Sequence, residues 1–314
     1  MKRSCIRSSD LPLRDGRVYH LYLRPEEMAK EIIIVGDPER VPFIADEFLE
    51  NREVDRFHRG LRTITGFARE TGKRVSIVTS GMGTPSMEIV LNEIVALNEI
   101  DFNTLERKEE YETIKIIRVG TSGGIQPDTE LGTLIITDYV VGMDNAGLFY
   151  DAPHPDGKCK VLEKKVRDAI DASIPDDSRF KGKINPYAAR AHKDVVEALE
   201  REAKRLSVKY RRGVTVSNSG FFGSEGRGVS RVPLTVSDMD GVLASLETGI
   251  KGLRFENMEM ESSFLLHFMG ALGHRAGVIC PIVDNRYQGT FMTQYAKHIR
   301  DAVRVALMAL HALG

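Results

Sequence analysis

Three arginines in the first 120 or so residues stand beside strand ends and glycines, the surroundings an anion site needs. The segment Arg118-Val-Gly-Thr-Ser-Gly-Gly-Ile125 follows a short apolar run, Ile114 to Ile117, interrupted only by Lys115. Backbone N–H groups, the hydroxyls of Thr121 and Ser122 and a guanidinium can converge there on one anion. The plainer alternative is a strand–turn with a surface arginine. Glu31-Ile-Ile-Ile-Val-Gly-Asp-Pro-Glu-Arg-Val41 reads as a buried parallel-type strand that stops at Gly36. Asp37 would cap the next helix with Pro38 in its first turn, which sets Arg40 and the Gly36 backbone near the carboxyl end of a strand. A helix-start salt bridge is the competing role for Arg40. Arg59 lies in the strand and turn Phe57-His-Arg-Gly-Leu-Arg-Thr-Ile64, where a surface-strand arginine is the alternative.

Further residues suit a sugar and a planar heterocycle. Asn218-Ser-Gly-Phe-Phe-Gly-Ser-Glu-Gly-Arg227 sets two aromatics beside a carboxylate and an arginine, so that faces stack and polar groups read edges. A mobile surface loop with a small hydrophobic plug would have the same composition. Phe255-Glu-Asn-Met-Glu-Met-Glu-Ser262 reads as the start of a helix continuing through Phe264, Leu265, Leu266 and Phe268. Glu259 and Glu261 there are either dipole complements in a first turn or carboxylates that bind sugar hydroxyls beside Met260. Asp284 ends the last core strand, Ala276 to Asp284, and His20 stands in Val18-Tyr-His-Leu-Tyr-Leu23 as a surface, capping or site histidine.

The elements that must position these groups alternate as in an α/β chain. Strands are expected at Val75–Thr79, Leu134–Asp138, Tyr139–Val141 and Val214–Val216, and helices at Met87–Leu97, Lys164–Ala172, Asp194–Leu206 and His298–Ala312. Ile89, Val90, Ile94 and Leu97 would share one helical face. The turn Ser80-Gly-Met-Gly-Thr-Pro-Ser86 opens the first of these helices, Asp144–Lys160 reads as loop, and Asp101–Glu112 as a solvated helix end or insertion. Residues 1–17 read as a polar N-terminal arm and residues 18–314 as one domain. A net charge of −1 argues against a nucleic-acid or membrane partner, and no apolar run approaches a membrane span. The basic start lacks the apolar stretch of a secretory signal. Three cysteines, Cys5, Cys159 and Cys280, fit neither a disulfide framework nor a zinc spacing, so a reducing cytoplasm is expected.

The order of motifs resembles the nucleoside phosphorylase-I family: Gly-Asp-Pro-Glu-Arg, then Ser-Gly-Met-Gly-x-Pro-Ser, Arg-x-Gly-Thr-Ser-Gly, Phe-x4-Gly-Arg and Met-Glu-Met-Glu-Ser. Within that family the chain looks most like the uridine phosphorylases, from about Val18 to the C-terminus. The resemblance implies one α/β domain around a mixed, partly barrel-like sheet flanked by helices. It implies homodimers with shared active sites, often assembled into hexamers. Carried over by motif, phosphate would be held by Gly36, Arg40, Arg118 and Thr121, with Arg59 from the neighbouring subunit. Ribose would meet Met260, Glu261 and Glu259, with His20 from the partner at the 5′-hydroxyl. The base would stack on Phe221 and have its edges read by Glu225 and Arg227.

The implied reaction is phosphorolysis in nucleoside salvage or catabolism: nucleoside plus phosphate gives free base and ribose 1-phosphate. Arg118, Glu261, Arg227 and Asp284 would carry the chemistry. Phosphate is a co-substrate, and neither metal nor cofactor is implied. Arg118→Ala is expected to cut turnover sharply while leaving the fold intact. Two departures concern the base. The uridine enzymes carry Gln where Glu225 stands, and an ionised carboxylate only accepts hydrogen bonds. Asp284 stands where uridine enzymes tend to be apolar, and where hexameric purine enzymes place an aspartate as general acid for purine N7. A potassium site of some members uses a glutamate where Gly60 stands and is not carried over. The competing readings are a purine nucleoside phosphorylase, a nucleosidase that uses water, and a non-catalytic nucleoside binder on the same fold.

Overall fold

The computed structural model describes residues 6–314. Twelve strands form one sheet: β1 Glu31–Val35, β2 Leu49–His58, β3 Leu61–Ala68, β4 Arg74–Thr79, β5 Lys115–Val119, β6 Ser122–Gly124, β7 Leu134–Gly142, β8 Tyr187–Arg190, β9 Tyr210–Ser217, β10 Phe255–Glu259, β11 Arg275–Asn285 and β12 Thr290–Phe291. Their spatial order is β8-β7-β9-β10-β6-β11-β5-β1-β4-β3-β2, with β12 on β11. A second pairing of β11, to β7, closes β7, β9, β10, β6 and β11 into a barrel. The result is a single α/β domain with a mixed, partly barrel-like sheet, as expected.

At the centre of the sheet, β1 is parallel to both β4 and β5, with Ile33 opposite Ile77 and Ile117. Ile32 to Val35 are fully buried, which is why this strand reads as an uninterrupted apolar run. Seven helices flank the sheet: α1 Arg40–Phe48, α2 Thr84–Glu99, α3 Gly157–Ser173, α4 Lys193–Arg205, α5 Met239–Ser245, α6 Ser262–Ala271 and α7 Ala296–Ala312. α7 packs against α1, α4, β1, β5 and β11, while α6 packs against α2, β7 and β11. No helix among the described residues is long and apolar enough to cross a membrane.

Several expected elements differ in ways that bear on the site. Phe255–Glu259 is a strand rather than the start of a helix. It runs parallel to β9 and antiparallel to β6, and α6 begins only at Ser262. All of its residues are buried, so the sheet overrides the helix-like spacing of its carboxylates. The two strands expected across Leu134–Val141 are one, with a bulge at Asp138. α3 begins at Gly157 inside the expected loop, because the Asp156 carboxylate accepts the N–H groups of Lys158 and Cys159. In α2 the buried face carries Met87, Val90, Leu91, Ile94 and Leu97, and Ile89 turns outward. The charged 101–112 stretch forms two short paired strands, Ile100–Asp101 and Glu106–Arg107.

Candidate active site

A cavity of about 610 Å³ opens where β1, β5, β10 and β11 end. It is lined by Gly36, Arg40, Arg118, Thr121, Phe221, Glu225, Arg227, Glu259, Met260, Glu261 and Asp284 among others. Sequence-expected residues from separate stretches of the chain therefore meet in one space.

Arg118 lies near the end of β5, opposite Ile34 of β1 and Val278 of β11, and is 3% exposed. Its Nε donates to Glu259 Oε2 at 3.1 Å and its Nη2 bonds Glu261 Oε2. Its Nη1 is buried and has no hydrogen-bond partner among the described residues. A side chain on Gly36 would begin 4.0 Å from that nitrogen, so the free donor sits beside the end of β1. Burial opposes the Arg118 charge, but Glu261 and then Glu259 outweigh it and hold the guanidinium above its ordinary range. Gly120 is needed for this arrangement, since a methyl there would meet Arg118 Nη2 at 2.7 Å. Arg40 opens α1, with Nε 3.8 Å from Asp37 Oδ2 and the guanidinium 5.6 Å from the centre of the Tyr295 ring. The expected cap differs: Glu39, not Asp37, stands at the N-cap, without a side-chain bond, and Pro38 precedes the first turn, while Asp37 accepts the Glu39 N–H at 2.9 Å just ahead of the helix.

The carboxylates that hold Arg118 are themselves held by backbone. Glu259, the last residue of β10, accepts from the N–H of Glu261 at 3.0 Å and from that of Ser262 at 3.0 and 3.1 Å, capping α6. Glu261 Oε1 accepts the Gly83 N–H at 2.7 Å. Gly83 has φ of +82°, a conformation side chains rarely adopt, and it aims that N–H from the turn before α2. Burial pushes the Glu261 carboxyl up; Arg118 opposes the push and Glu259 adds to it. This geometry corrects the expectation for Arg118→Ala. The substitution would leave two buried carboxylates without their cation, so the fold is affected along with the site.

The far end of the cavity is built from a loop. Glu225 ends the short 3-10 turn Gly223–Glu225. Arg227 Nε donates to Glu225 Oε2 at 3.1 Å, and Arg227 Nη2 donates to Asp284 Oδ2 at 2.9 Å. The same guanidinium lies 4.1 Å from the centre of the Phe221 ring, whose side chain is half exposed. Asp284 reaches this point from β11, in register with Gly123 of β6. Burial is the main force raising the Glu225 carboxyl, to about 7; Arg227 draws it down and Asp284 pushes it further up.

His20 and Arg59 do not line the cavity of their own chain. His20 Nδ1 is 2.7 Å from Glu93 Oε1, and Glu93 also accepts the N–H groups of His20 and Leu21. Arg59, exposed and with φ of +52°, turns its guanidinium over the Tyr19 ring at 5.3 Å. Tyr19 and His20 meet edge to face, so both residues sit on one patch beside the β2–β3 hairpin, while Gly60 in that hairpin lines the cavity rim. The sequence reading missed the Gly83 N–H, the Tyr295 ring behind Arg40, and Arg286. The Gly-x-Gly spacing of residues 81–83 signals the first, and the second has no local signal. Arg286 Nη2 donates to the Glu225 carbonyl at 3.3 Å, and its Nε lies 3.4 Å from Asp240 Oδ2.

The family model of the phosphorylase superfamily matches residues 30–313. A uridine phosphorylase of Thermococcus kodakarensis is 30% identical over 277 residues, covering 88% of this chain and 80% of that one. A DeoD-type purine nucleoside phosphorylase of Listeria welshimeri is 29% identical over 249 residues, covering 74% and 99%. Among solved structures, a Trypanosoma brucei nucleoside phosphorylase described as showing uridine phosphorylase activity superimposes with a TM-score of 0.84. It is 29% identical, with 97% of this chain and 99% of that one covered. The chain belongs to the phosphorylase superfamily, as a pentosyltransferase of the nucleoside phosphorylase family.

Proposed function

We propose that the protein cleaves uridine, or a closely related pyrimidine nucleoside, by phosphorolysis. The observation that carries this reading is Arg118. Two of its nitrogens fix the carboxylates that would face the sugar, and the third is a buried donor beside Gly36 with no partner among the described residues. A buried, unsatisfied guanidinium N–H at a cavity wall suits a phosphate oxygen. A hydrolase that uses water has no need of it, and a mere binder has no need of the whole set. Arg40 and Thr121 add a second guanidinium and a hydroxyl, and Arg59 with His20 would come from the partner of a homodimer.

In the reaction the glycosidic bond lengthens first and leaves an oxocarbenium-like sugar. Phosphate below the ring stabilises that cation and then attacks it. Glu261 and Glu259, immobilised by backbone N–H groups, hold the sugar hydroxyls and so fix the ring. Arg227 supports charge developing on the departing base. Inorganic phosphate is the co-substrate.

A second reading is favoured by one observation. Asp284 lines the cavity at the base end, where it could protonate a purine leaving group. A panel of uridine, thymidine, inosine and adenosine, with and without phosphate, separates the two. The proposal expects uridine to be cleaved fastest and only with phosphate. Base release at equal rates without phosphate contradicts it. Should inosine also be cleaved, Asp284→Asn is expected to damage that activity and spare uridine; equal losses would make Asp284 structural.

A further inference from the structure

Two carboxyl groups, Glu225 and Asp284, converge on the single guanidinium of Arg227 inside the cavity. Among the described residues neither side chain accepts a backbone N–H, and neither has a second hydrogen-bond partner of its own. Glu225 is 3% exposed, and its Oε1 has no hydrogen-bond partner among those residues. Arg286 also draws the Glu225 carboxyl down, less than Asp284 pushes it up. Arg286 spends one nitrogen on the Glu225 backbone carbonyl, and its side chain is turned towards Asp240 of α5. Two buried carboxylates on one cation leave an uncompensated negative charge where water is scarce, and taking up a proton removes it.

We propose that Glu225 reads the base as a neutral carboxylic acid, with one oxygen donating its O–H to a ring carbonyl and the other accepting the adjacent ring N–H. This deepens the phosphorolytic reading and rests on it. In the neutral state Glu225 offers one donor and one acceptor side by side, as a glutamine amide would. That pair complements an edge that sets an N–H beside a carbonyl, which is the imide edge of uracil. Oε2, already accepting from Arg227, keeps a second lone pair for the ring N–H, and Oε1 is free to carry the proton. The ionised form repels a carbonyl and is left with acceptors alone. Burial and the neighbouring Asp284 place the Glu225 titration at about 7, within reach of ordinary assay conditions. Uridine binding at this site is therefore coupled to uptake of one proton at alkaline pH.

The test is calorimetric titration of uridine into the intact protein without phosphate, at pH 6 and pH 8, in two buffers of different ionisation heat. Wild type is expected to take up close to one proton per uridine at pH 8 and close to none at pH 6. Its affinity should fall about fivefold from pH 7 to pH 8, as a single group titrating near 7 requires. Glu225→Gln preserves shape and hydrogen-bonding pattern, and is expected to bind uridine at both pH values without proton uptake. Binding by wild type at pH 8 with no proton uptake overturns the proposal, as does uptake by Glu225→Gln equal to that of wild type. If the variant fails to fold, the wild-type proton count decides alone. Cleavage of uridine in the phosphate-free cell would instead overturn phosphorolysis, and failure of wild type to bind uridine at pH 6 counts against both.

Discussion

The two ends of the cavity are built from the same charge triplet and behave differently. At one end Arg118 sits between Glu259 and Glu261; at the other Arg227 sits between Glu225 and Asp284. In the first triplet both carboxylates also accept backbone N–H groups, from Gly83, Glu261 and Ser262, and all three side chains hang on strand ends or a helix start. In the second, two of the three side chains come from a loop, and among the described residues no backbone N–H reaches either carboxylate. Backbone donors stabilise a carboxylate in its charged form and in one place. The comparison teaches that an arginine between two acids is a fixed scaffold when the backbone holds those acids. Without that support it is adjustable.

The largest effect is expected from Arg118→Ala, which strips the cation from the supported triplet. Leaving two buried carboxylates unpaired should cost about 3–5 kcal/mol of stability along with nearly all turnover. Thermal unfolding checks this, and an unchanged melting temperature would mean the triplet does not hold the sheet ends together. Arg40→Ala comes next. Among the described residues Arg40 is placed near Asp37 and the Tyr295 ring by a 3.8 Å ion pair and a cation–π contact, and no side-chain hydrogen bond ties it to the sheet, so folding should be affected far less than by Arg118→Ala. The KM for phosphate should rise roughly 10–100-fold, the scale of a charged hydrogen bond lost, with the KM for uridine unchanged. At the other end, Phe221→Ala removes a half-exposed stacking face. It should raise the KM for uridine roughly tenfold at most, from about 1 kcal/mol of stacking, and leave the phosphate KM alone. A shift in both constants would break the separation of the two ends.

The pH dependence of stability sharpens the same contrast. The fold raises the Glu225 carboxyl from 4.5 to about 7, so the native state favours its neutral form. Below pH 4.5 the group is neutral whether folded or not. As pH rises from 4.5 to 7 the unfolded chain ionises while the native one holds its proton, and wild type loses stability relative to Glu225→Gln. The gap in unfolding free energy should widen across that window, reach about 3 kcal/mol at most, and level off above it. A gap that is flat across the window would place the proton elsewhere.

Much of the supported end was legible in the sequence. Arg118 and Gly36 follow buried apolar runs, and a strand that stops at glycine announces its own carboxyl end. Glu259 and Glu261 were legible as residues but not as geometry. Their spacing suits a helix start, yet the last turn of the barrel claims Phe255–Glu259 as a strand, and only then can Glu259 cap α6. Pairing between distant strands decided this, and no local propensity reports it. The base end was legible as a set of residue types, Phe221, Glu225, Arg227 and Asp284. Their sharing of one guanidinium was not, because Asp284 stands 57 residues beyond Arg227. His20 and Arg59 were singled out by motif, and they gather on the Tyr19 patch rather than in the chain's own cavity.

Phosphorus NMR of the protein with uridine and inorganic phosphate tests the reaction itself most directly. Inorganic phosphate should disappear one for one with the appearance of uracil, and a ribose 1-phosphate signal should grow in its place. Uracil appearing while the inorganic phosphate signal stays constant would contradict the account.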